Sequence, residues 1–579
     1  MPTASFLDEI MIRKTSALAR QYLLLKVLAI SAPLAAMAEP AFSQDDQSAT
    51  VPVQVPGSSG PSTDAISAAE EAEAAAEEAE AAAEPEQAQP AAPDTSAPKA
   101  AKAARPFLVR RVVFGPSVYL SAEELAAAGA RIEGRRILAS RAAAILSEIN
   151  SLYQSKGIAL AEALVTGIDP ATGTVWIELF EARIGQVVYR SKLASDAYLD
   201  YRLGLKTGDP ADNRVIEERL RRLTLTDGST VNADFQPGAE RGFTDLTLVF
   251  QDANPYGAFA SVDNFGKRST GEERLNLGVV ARSLTGWNDP LNLSATFTER
   301  SASGTISYSR PILPAGTRAT FSFTGSTSRS FPPVVVDTVS FSGEAGLVHP
   351  ILLENQRRMQ MSALLLGFEE KGDIGGTPVV DQSGWGGQLG LSTYLAGAGW
   401  FFGTDHAIRV LDWDDRVAGE AGLTHVGLNG GVNAAARLSD HYAVTLQLGW
   451  QVAVNERAPS RYSFGVTGPF AVRGYDPDVS NSDSGVFVRA QVERATPLPL
   501  PIGSLELRPF IFADAGRSWD FVGGGHVALD AVASAGAGLT ISMGSTIAGS
   551  IFVARPLLDA NGYVVGDDID VRASLTATF

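Results

Sequence analysis

The end of the chain alternates without error. Ile569, Val571, Ala573, Leu575, Ala577 and Phe579 are apolar, while Asp570, Arg572, Ser574, Thr576 and Thr578 stand between them. A period of two puts the first set on one face of a strand and the second on the other, so one face suits lipid and the other water. Leu291 to Thr298, Thr317 to Thr324 and Val444 to Trp450 repeat this pattern between turns rich in Gly, Asn, Asp and Pro. At roughly ten residues per strand plus a turn, residues 252–579 make on the order of sixteen antiparallel strands. A soluble β-sandwich alternates as well. The number of segments, the terminal aromatic and an export signal at the other end of the chain favour a closed membrane barrel with a polar lumen.

Upstream, residues 106–251 have another texture. Phe107 to Phe114 reads as a strand, Ser121 to Gly129 and Ile137 to Lys156 as helices, and Ala159 to Thr166 and Thr174 to Ala182 as strands. The order repeats: Ile184 to Tyr189 is a strand, Tyr198 to Leu203 and Asn213 to Leu223 are helical, and Thr230 to Gln236 and Thr244 to Gln251 are strands. Two α+β modules, 106–183 and 184–251, are therefore expected.

The first 105 residues are not globular in pattern. Arg13, Lys14 and Arg20 precede the apolar stretch Val27 to Ala38, and cleavage after Ala38 or after Ser43 fits a secretory signal over 1–43. Residues 44–105 are low in complexity. Ser67 to Glu84, almost all Ala and Glu, predicts a helix of roughly 25 Å between Pro-rich linkers. Its length fits both a plug within the barrel and a solvated spacer.

Composition narrows the chemistry. No run of eighteen apolar residues follows the signal, so a membrane must be crossed by a barrel. A formal charge of -18 argues against a nucleic-acid partner. The chain has no cysteine, which excludes disulfides and thiolate metal sites. His349, His406, His425, His441 and His526 lack metal-ligand spacing, and no Gly-x-Ser-x-Gly elbow occurs, so no enzyme, cofactor or metal is expected. Asp412, Asp414 and Asp415 read as a solvated strand end rather than a calcium site.

Certain segments resemble known families. Tyr153 to Gly157 with Gly173 to Leu179, and Pro237-Gly238 with Gly242 and Asp245-Leu246, resemble POTRA domains of outer-membrane transporters. Asp263 to Gly266, Thr270 to Arg274 and Gly286 to Asp289, followed by Tyr308 to Pro311 and Gly316, resemble the TpsB transporters of two-partner secretion, the FhaC/ShlB/HecB haemolysin secretion/activation family. The most specific match is Val472-Arg473-Gly474-Tyr475, in a long connection between strands ending near Asn455 and starting near Gly485. The resemblance implies that this loop folds inside the barrel and that its arginine meets the aspartate of Phe512-x-Asp514-x-Gly516. Strand phase agrees independently: Leu505, Leu507, Ile511, Ala513 and Ala515 share one face, leaving Glu506, Arg508, Phe510, Phe512 and Asp514 toward the lumen.

The resemblance also implies a function. The barrel sits in the outer membrane with two POTRA modules in the periplasm, Phe579 serves as the C-terminal insertion signal read by the barrel assembly machinery, and the client is a large secreted TpsA-like exoprotein. No Gly-x-x-x-x-Gly-Lys-[Ser/Thr] loop supplies nucleotide energy. An assembly factor of the BamA/TamA kind shares this plan and is the alternative; a passive porin leaves the modules unexplained.

Overall fold

The computed structural model describes residues 106–138, 144–500, 503–560 and 569–579. The expected signal, linker and 67–84 helix lie outside the described residues.

In the first module, β1 (Phe107–Leu108), β2 (Arg111–Phe114), α1 (Ala122–Ile132), β3 (Arg136–Ile137), α2 (Ser147–Ser155), β4 (Ala161–Asp169) and β5 (Thr174–Glu181) follow in order. Ser121 caps α1: its Oγ accepts from Glu124 N at 3.2 Å, and Glu124 Oε2 accepts from Ser121 N at 2.8 Å. The sheet runs β2-β5-β4 with β2 parallel to β5, and Val109, Ile132, Ile149, Tyr153, Val175 and Ile177 form the core behind it.

Two expectations fail here. Phe107 to Phe114 is not one strand, because Val109 bonds Arg135 O and Arg110 bonds Gly173 O, so the chain changes partners between β1 and β2. Ile137 is not helical either. Gly134, at φ 85, turns the chain so that Arg136–Ile137 pairs with Phe107–Leu108, and the helix starts only at Ser147.

The second module repeats the plan with β6 (Arg183–Arg190), α3 (Asp196–Leu203), α4 (Asn213–Asp227), β7 (Thr230–Pro237) and β8 (Phe243–Gln251). Its sheet order is β6-β8-β7, with β6 parallel to β8. The helix α4 runs to Asp227, four residues past the expected Leu223, and ends where Gly228 adopts φ 78.

The barrel strands are β9 (Tyr256–Asp263), β10 (Arg274–Ala281), β11 (Leu291–Phe297), β12 (Ser301–Pro311), β13 (Arg318–Arg329), β14 (Asp337–Leu353), β15 (Arg357–Ile374), β16 (Thr377–Gly397), β17 (Trp400–Asp415), β18 (Glu420–Ser439) and β19 (Tyr442–Ala453). The short pair β20 (Phe464–Gly465) and β21 (Asn481–Ser482) lies within a loop. The wall then resumes with β22 (Ser484–Arg494), β23 (Thr496–Leu500), β24 (Gly503–Val522), β25 (Gly525–Met543), β26 (Ile547–Pro556) and β27 (Asp570–Thr578). Only Ala495 separates β22 from β23, and both pair with β24, so they count as one of sixteen antiparallel strands; β27 pairs with β9 and closes the sheet.

The expected ten residues per strand holds on one side only. β14–β18 have 16–21 residues against 7–12 in β9–β13, and β14 runs past its pairing with β13 over His349–Leu353, at the end nearer the modules. Leu277, Leu293, Ile306, Phe323 and Phe341 are exposed on the outer face, as a lipid-facing belt requires.

Candidate functional site in the barrel lumen

The connection 454–483 leaves β19 at the end of the barrel away from the modules and folds inward. It first crosses β14–β18. Arg461 Nη2 donates to Ser342 Oγ at 2.8 Å, Ser460 Oγ donates to Glu370 Oε2 at 2.7 Å, and the Tyr462 ring packs edge-on to Phe368 with the Arg409 guanidinium 4.5 Å away. Arg457 Nη2 reaches Asp415 at 3.0 Å and Glu420 at 2.7 Å. Asp415 is therefore a buried anchor for the loop and not part of a solvated strand end; Asp414 and Asp412 are engaged by Gly422 N and Thr424 Oγ1.

Past β20 the loop carries Val472-Arg473-Gly474-Tyr475 to the inner faces of β24–β26. Arg473 Nε donates to Asp514 Oδ2 at 2.7 Å and Nη2 to Oδ1 at 2.9 Å, while its backbone N–H reaches Oδ2 at 3.2 Å and Nη1 reaches Gln491 Oε1 at 3.0 Å. The pair is bidentate and almost wholly buried, with side-chain exposures of 3% and 0%. The guanidinium lies 3.5 Å from the Phe512 ring centroid, and Phe552 closes the far side at 5.8 Å. Burying two charges is unfavourable by itself, and here the aspartate is satisfied by three donors and the arginine by two acceptors and a ring.

The two glycines of the motifs have steric reasons. Gly474 adopts φ 91, and a Cβ there would lie 3.2 Å from Ala554 Cβ. A Cβ on Gly516 would meet Val472 Cγ2 at 3.0 Å and the Val486 carbonyl at 3.1 Å, so Gly516 is the space into which the fully buried Val472 fits.

Tyr475, 1% exposed, places its hydroxyl 2.9 Å from Ala533 O and 2.8 Å from Leu558 O, and accepts from the amides of both residues at 3.3 Å. Tyr475→Phe is expected to leave these groups short of a partner and to destabilise the loop by about 1–3 kcal/mol. Faster hydrogen exchange over 466–480 in the variant checks this; unchanged exchange would contradict it.

The loop tip then ties to the opening of the barrel sheet. Asp476 accepts from Arg268 N at 2.9 Å, Asp478 accepts from Ser269 Oγ and pairs with Lys267 at 3.0 Å, and Phe470 packs edge-on to Phe265. On β27, Arg572 donates to the Asn264 carbonyl and pairs with Asp570 at 2.9 Å. Phe579 lies at the opposite end of the same seam: its N–H and C=O bond Ala258 at 2.8 and 3.0 Å, and its ring is half exposed.

Sequence reasoning missed Gln491 and Arg489, which stand on β22 in register with Phe512 and Asp514. Extending the same alternation one strand back would have found them. It also missed the joint between the second module and the barrel. Trp287, in the β10–β11 turn, packs against Tyr198 and Tyr201 at 5.5 and 5.7 Å, with the Arg310 guanidinium 4.7 Å from its ring. Asn288 Nδ2 donates to Asp227 O at 3.2 Å, Ser195 N to Gly286 O at 2.8 Å, and Tyr201 Oη to Ile312 O at 3.0 Å. Behind these contacts Arg202 pairs with Asp227 at 2.8 Å. Burial disfavours the Arg202 charge, but Asp227 and Tyr198 more than offset this and hold its pKa above the ordinary value.

The family model described as haemolysin secretion/activation protein ShlB/FhaC/HecB matches residues 242–348 and 378–541. The heme/hemopexin transporter protein HuxB of Haemophilus influenzae (strain 86-028NP) is 29% identical over 164 residues, 28% of this chain and 29% of that protein. The outer membrane transporter CdiB of Dickeya dadantii (strain 3937) is 21% identical over 196 residues, 34% of this chain and 35% of that protein. The chain thus aligns with about a third of the length of these curated relatives. CdiB from Escherichia coli superposes with a TM-score of 0.60 at 16% identity, covering 90% of this chain and all of that one. BamA from Haemophilus ducreyi lacking POTRA domains 1-3 gives 0.50 at 12% identity, covering 82% and 100%. At such identities the likeness speaks for the fold. The matched segments run from the last strand of the second module through the barrel wall that holds Asp514, and over them the chain is similar to the ShlB/FhaC/HecB haemolysin secretion/activation family.

Proposed function

We infer that the chain is a two-partner (TpsB-type) translocator of the outer membrane, which takes a large unfolded exoprotein from the periplasm and conducts it through the barrel to the surface. The observation that carries this reading is the arrangement of two α+β modules, the second docked on one end of a sixteen-stranded barrel, whose lumen is crossed by a loop clasped through Arg473 and Asp514. In this reading 106–183 and 184–251 are POTRA domains facing the periplasm and 252–579 is the membrane barrel. In the second module β7 is an edge strand of the sheet, with Phe235 exposed, and an extended client strand can add there through main-chain hydrogen bonds. Phe579 serves as the insertion signal for the assembly machinery, lipids surround the barrel, and the Val472–Tyr475 and Phe512–Gly516 motifs hold the lumen loop in its folded-in position. Two relatives being called transporters supports transport over catalysis.

The test is co-expression. In a host lacking the chain, a large neighbouring-gene product with an N-terminal β-helical secretion domain is expected to reach the medium only when the chain is present. Its retention in the periplasm beside a correctly inserted barrel would contradict the reading.

The joint should also matter. Trp287→Ala is expected to weaken docking of the second module by about 2 kcal/mol, the scale of an interface anchor. Faster proteolysis of the 252–255 connection, with the barrel core still protected, is the check; an unchanged cleavage rate would mean that Trp287 does not hold the joint.

A further inference from the structure

The inner wall of the barrel is chemically divided. On β11–β14 the large apolar side chains face out, and register places the intervening residues toward the lumen. One rung reads Thr296, Ser303, Ser326 and Ser340, and the next reads Ser294, Thr305, Thr324 and Ser342. The rung nearer the modules is Asn292, Ser307, Ser322 and Glu344, so Glu344 is the single charge across all three. Some of these groups bond one another: Thr305 Oγ1 lies 2.9 Å from Thr324 Oγ1, and Thr296 Oγ1 donates to Asn276 Oδ1 at 2.9 Å.

The facing wall is different. Arg358, Arg409 and Arg489 point inward from β15, β17 and β22. Their direct partners are neutral: Gln388 Oε1 accepts from Arg409 at 3.1 Å, Gln447 Oε1 accepts from Arg489 at 3.1 Å, and the Tyr394 ring lies 5.8 Å from Arg358. The nearest carboxylates are Asp514, opposite Arg489 in register, and Glu344, near Arg409. The lumen loop lies mainly against this wall, over Arg409 through Tyr462 and beside Arg489 through the Arg473–Asp514 pair. Asn292 and Ser294 on the hydroxyl wall stay exposed.

We propose that an extended polypeptide in transit runs along the hydroxyl wall of β11–β14, and that the arginine wall is the seat of the loop. This rests on the translocator reading above. A passing chain presents carboxylates and ammonium groups in turn. Buried arginines would hold each carboxylate through charge-assisted bonds of about 1.5–3 kcal/mol, whereas hydroxyls donate to and accept from any residue weakly and release it.

Because the chain has no cysteine, single cysteines report without a background. Full-length protein carrying Ser294→Cys, Ser307→Cys or Thr324→Cys is compared in planar bilayers with Ser392→Cys, which faces the lumen from the other wall. The probe is an uncharged Gly/Ser/Asn peptide of roughly 40 residues with one central cysteine carried as its thiopyridyl disulfide, from which the barrel thiolate displaces the thiopyridine, and it is long enough to span the barrel at about 3.3 Å per residue. Mixed disulfides are expected to form at least about tenfold faster at the three hydroxyl-wall positions, a difference of about 1.4 kcal/mol. Equal or faster trapping at Ser392 overturns the proposal. A second variant, Ser294→Lys with Thr324→Lys, is expected to lengthen blockades by a Glu/Ser peptide about tenfold; unchanged dwell times overturn it as well. Both measurements work without the natural client. Failure of export in cells with the trapping pattern intact would count against the translocator reading alone, and export with trapping at Ser392 would count against the path alone.

Discussion

Asp514→Ala is expected to be the most damaging single substitution in the barrel. It leaves the Arg473 guanidinium, 3% exposed, without its bidentate carboxylate, and a buried charge that loses its partner costs about 3–5 kcal/mol. The expected result is a loop released from β24–β26 and secretion reduced to near background. Arg473→Ala should do the same, and Arg473→Lys should rescue little, because an ammonium cannot bond both carboxylate oxygens and Gln491 in this fork geometry. The double mutant should lose little more than the worse single, since the residues act as a unit. Fully additive losses in that cycle would separate them.

The second large effect concerns the modules. Deletion of 106–251 is expected to abolish delivery of the client while the barrel still inserts, because β27, Phe579 and the β27–β9 closure lie outside the deleted segment. The deletion also removes Tyr198, Tyr201 and Asp227, so the β10–β11 and β12–β13 turns lose their docking surface. Client retained in the periplasm, with a heat-modifiable barrel in the membrane fraction, is the predicted outcome. Wild-type surface delivery by the truncated protein would rule out direct client contact by the modules.

Much of this was legible in the residues, for identifiable reasons. A period of two is a strong signal when lipid lies on one side and water on the other, so the strand of Asp570–Thr578 and the inward phase of Asp514 could be read from one strand at a time. The Arg473–Asp514 contact needed more, because 41 residues separate the two and only the motif resemblance linked them. Chain reversals were harder. Gly134 turned Ile137, the expected first residue of a helix, into β3, and the change of partners at Val109–Arg110 split an expected strand, since both depend on what lies opposite and not on local pattern. The acidic Asp412–Asp415 run looked solvated because its cation, Arg457, arrives from a loop 42 residues away. Trp287 gave no local sign of its role, as a turn tryptophan becomes a joint only once α3 is placed against it.

The central claim, export of a partner protein and not assembly of other barrels, is tested most directly by comparing cells with and without this chain. Intact cells are shaved with protease, and the released peptides, the medium and the outer-membrane fraction are quantified. The account predicts that one large exoprotein disappears from surface and medium and collects or is degraded in the periplasm, while the other outer-membrane barrels keep their levels. An unchanged set of surface and secreted proteins together with a general fall in outer-membrane barrels would contradict it and point to an assembly factor instead.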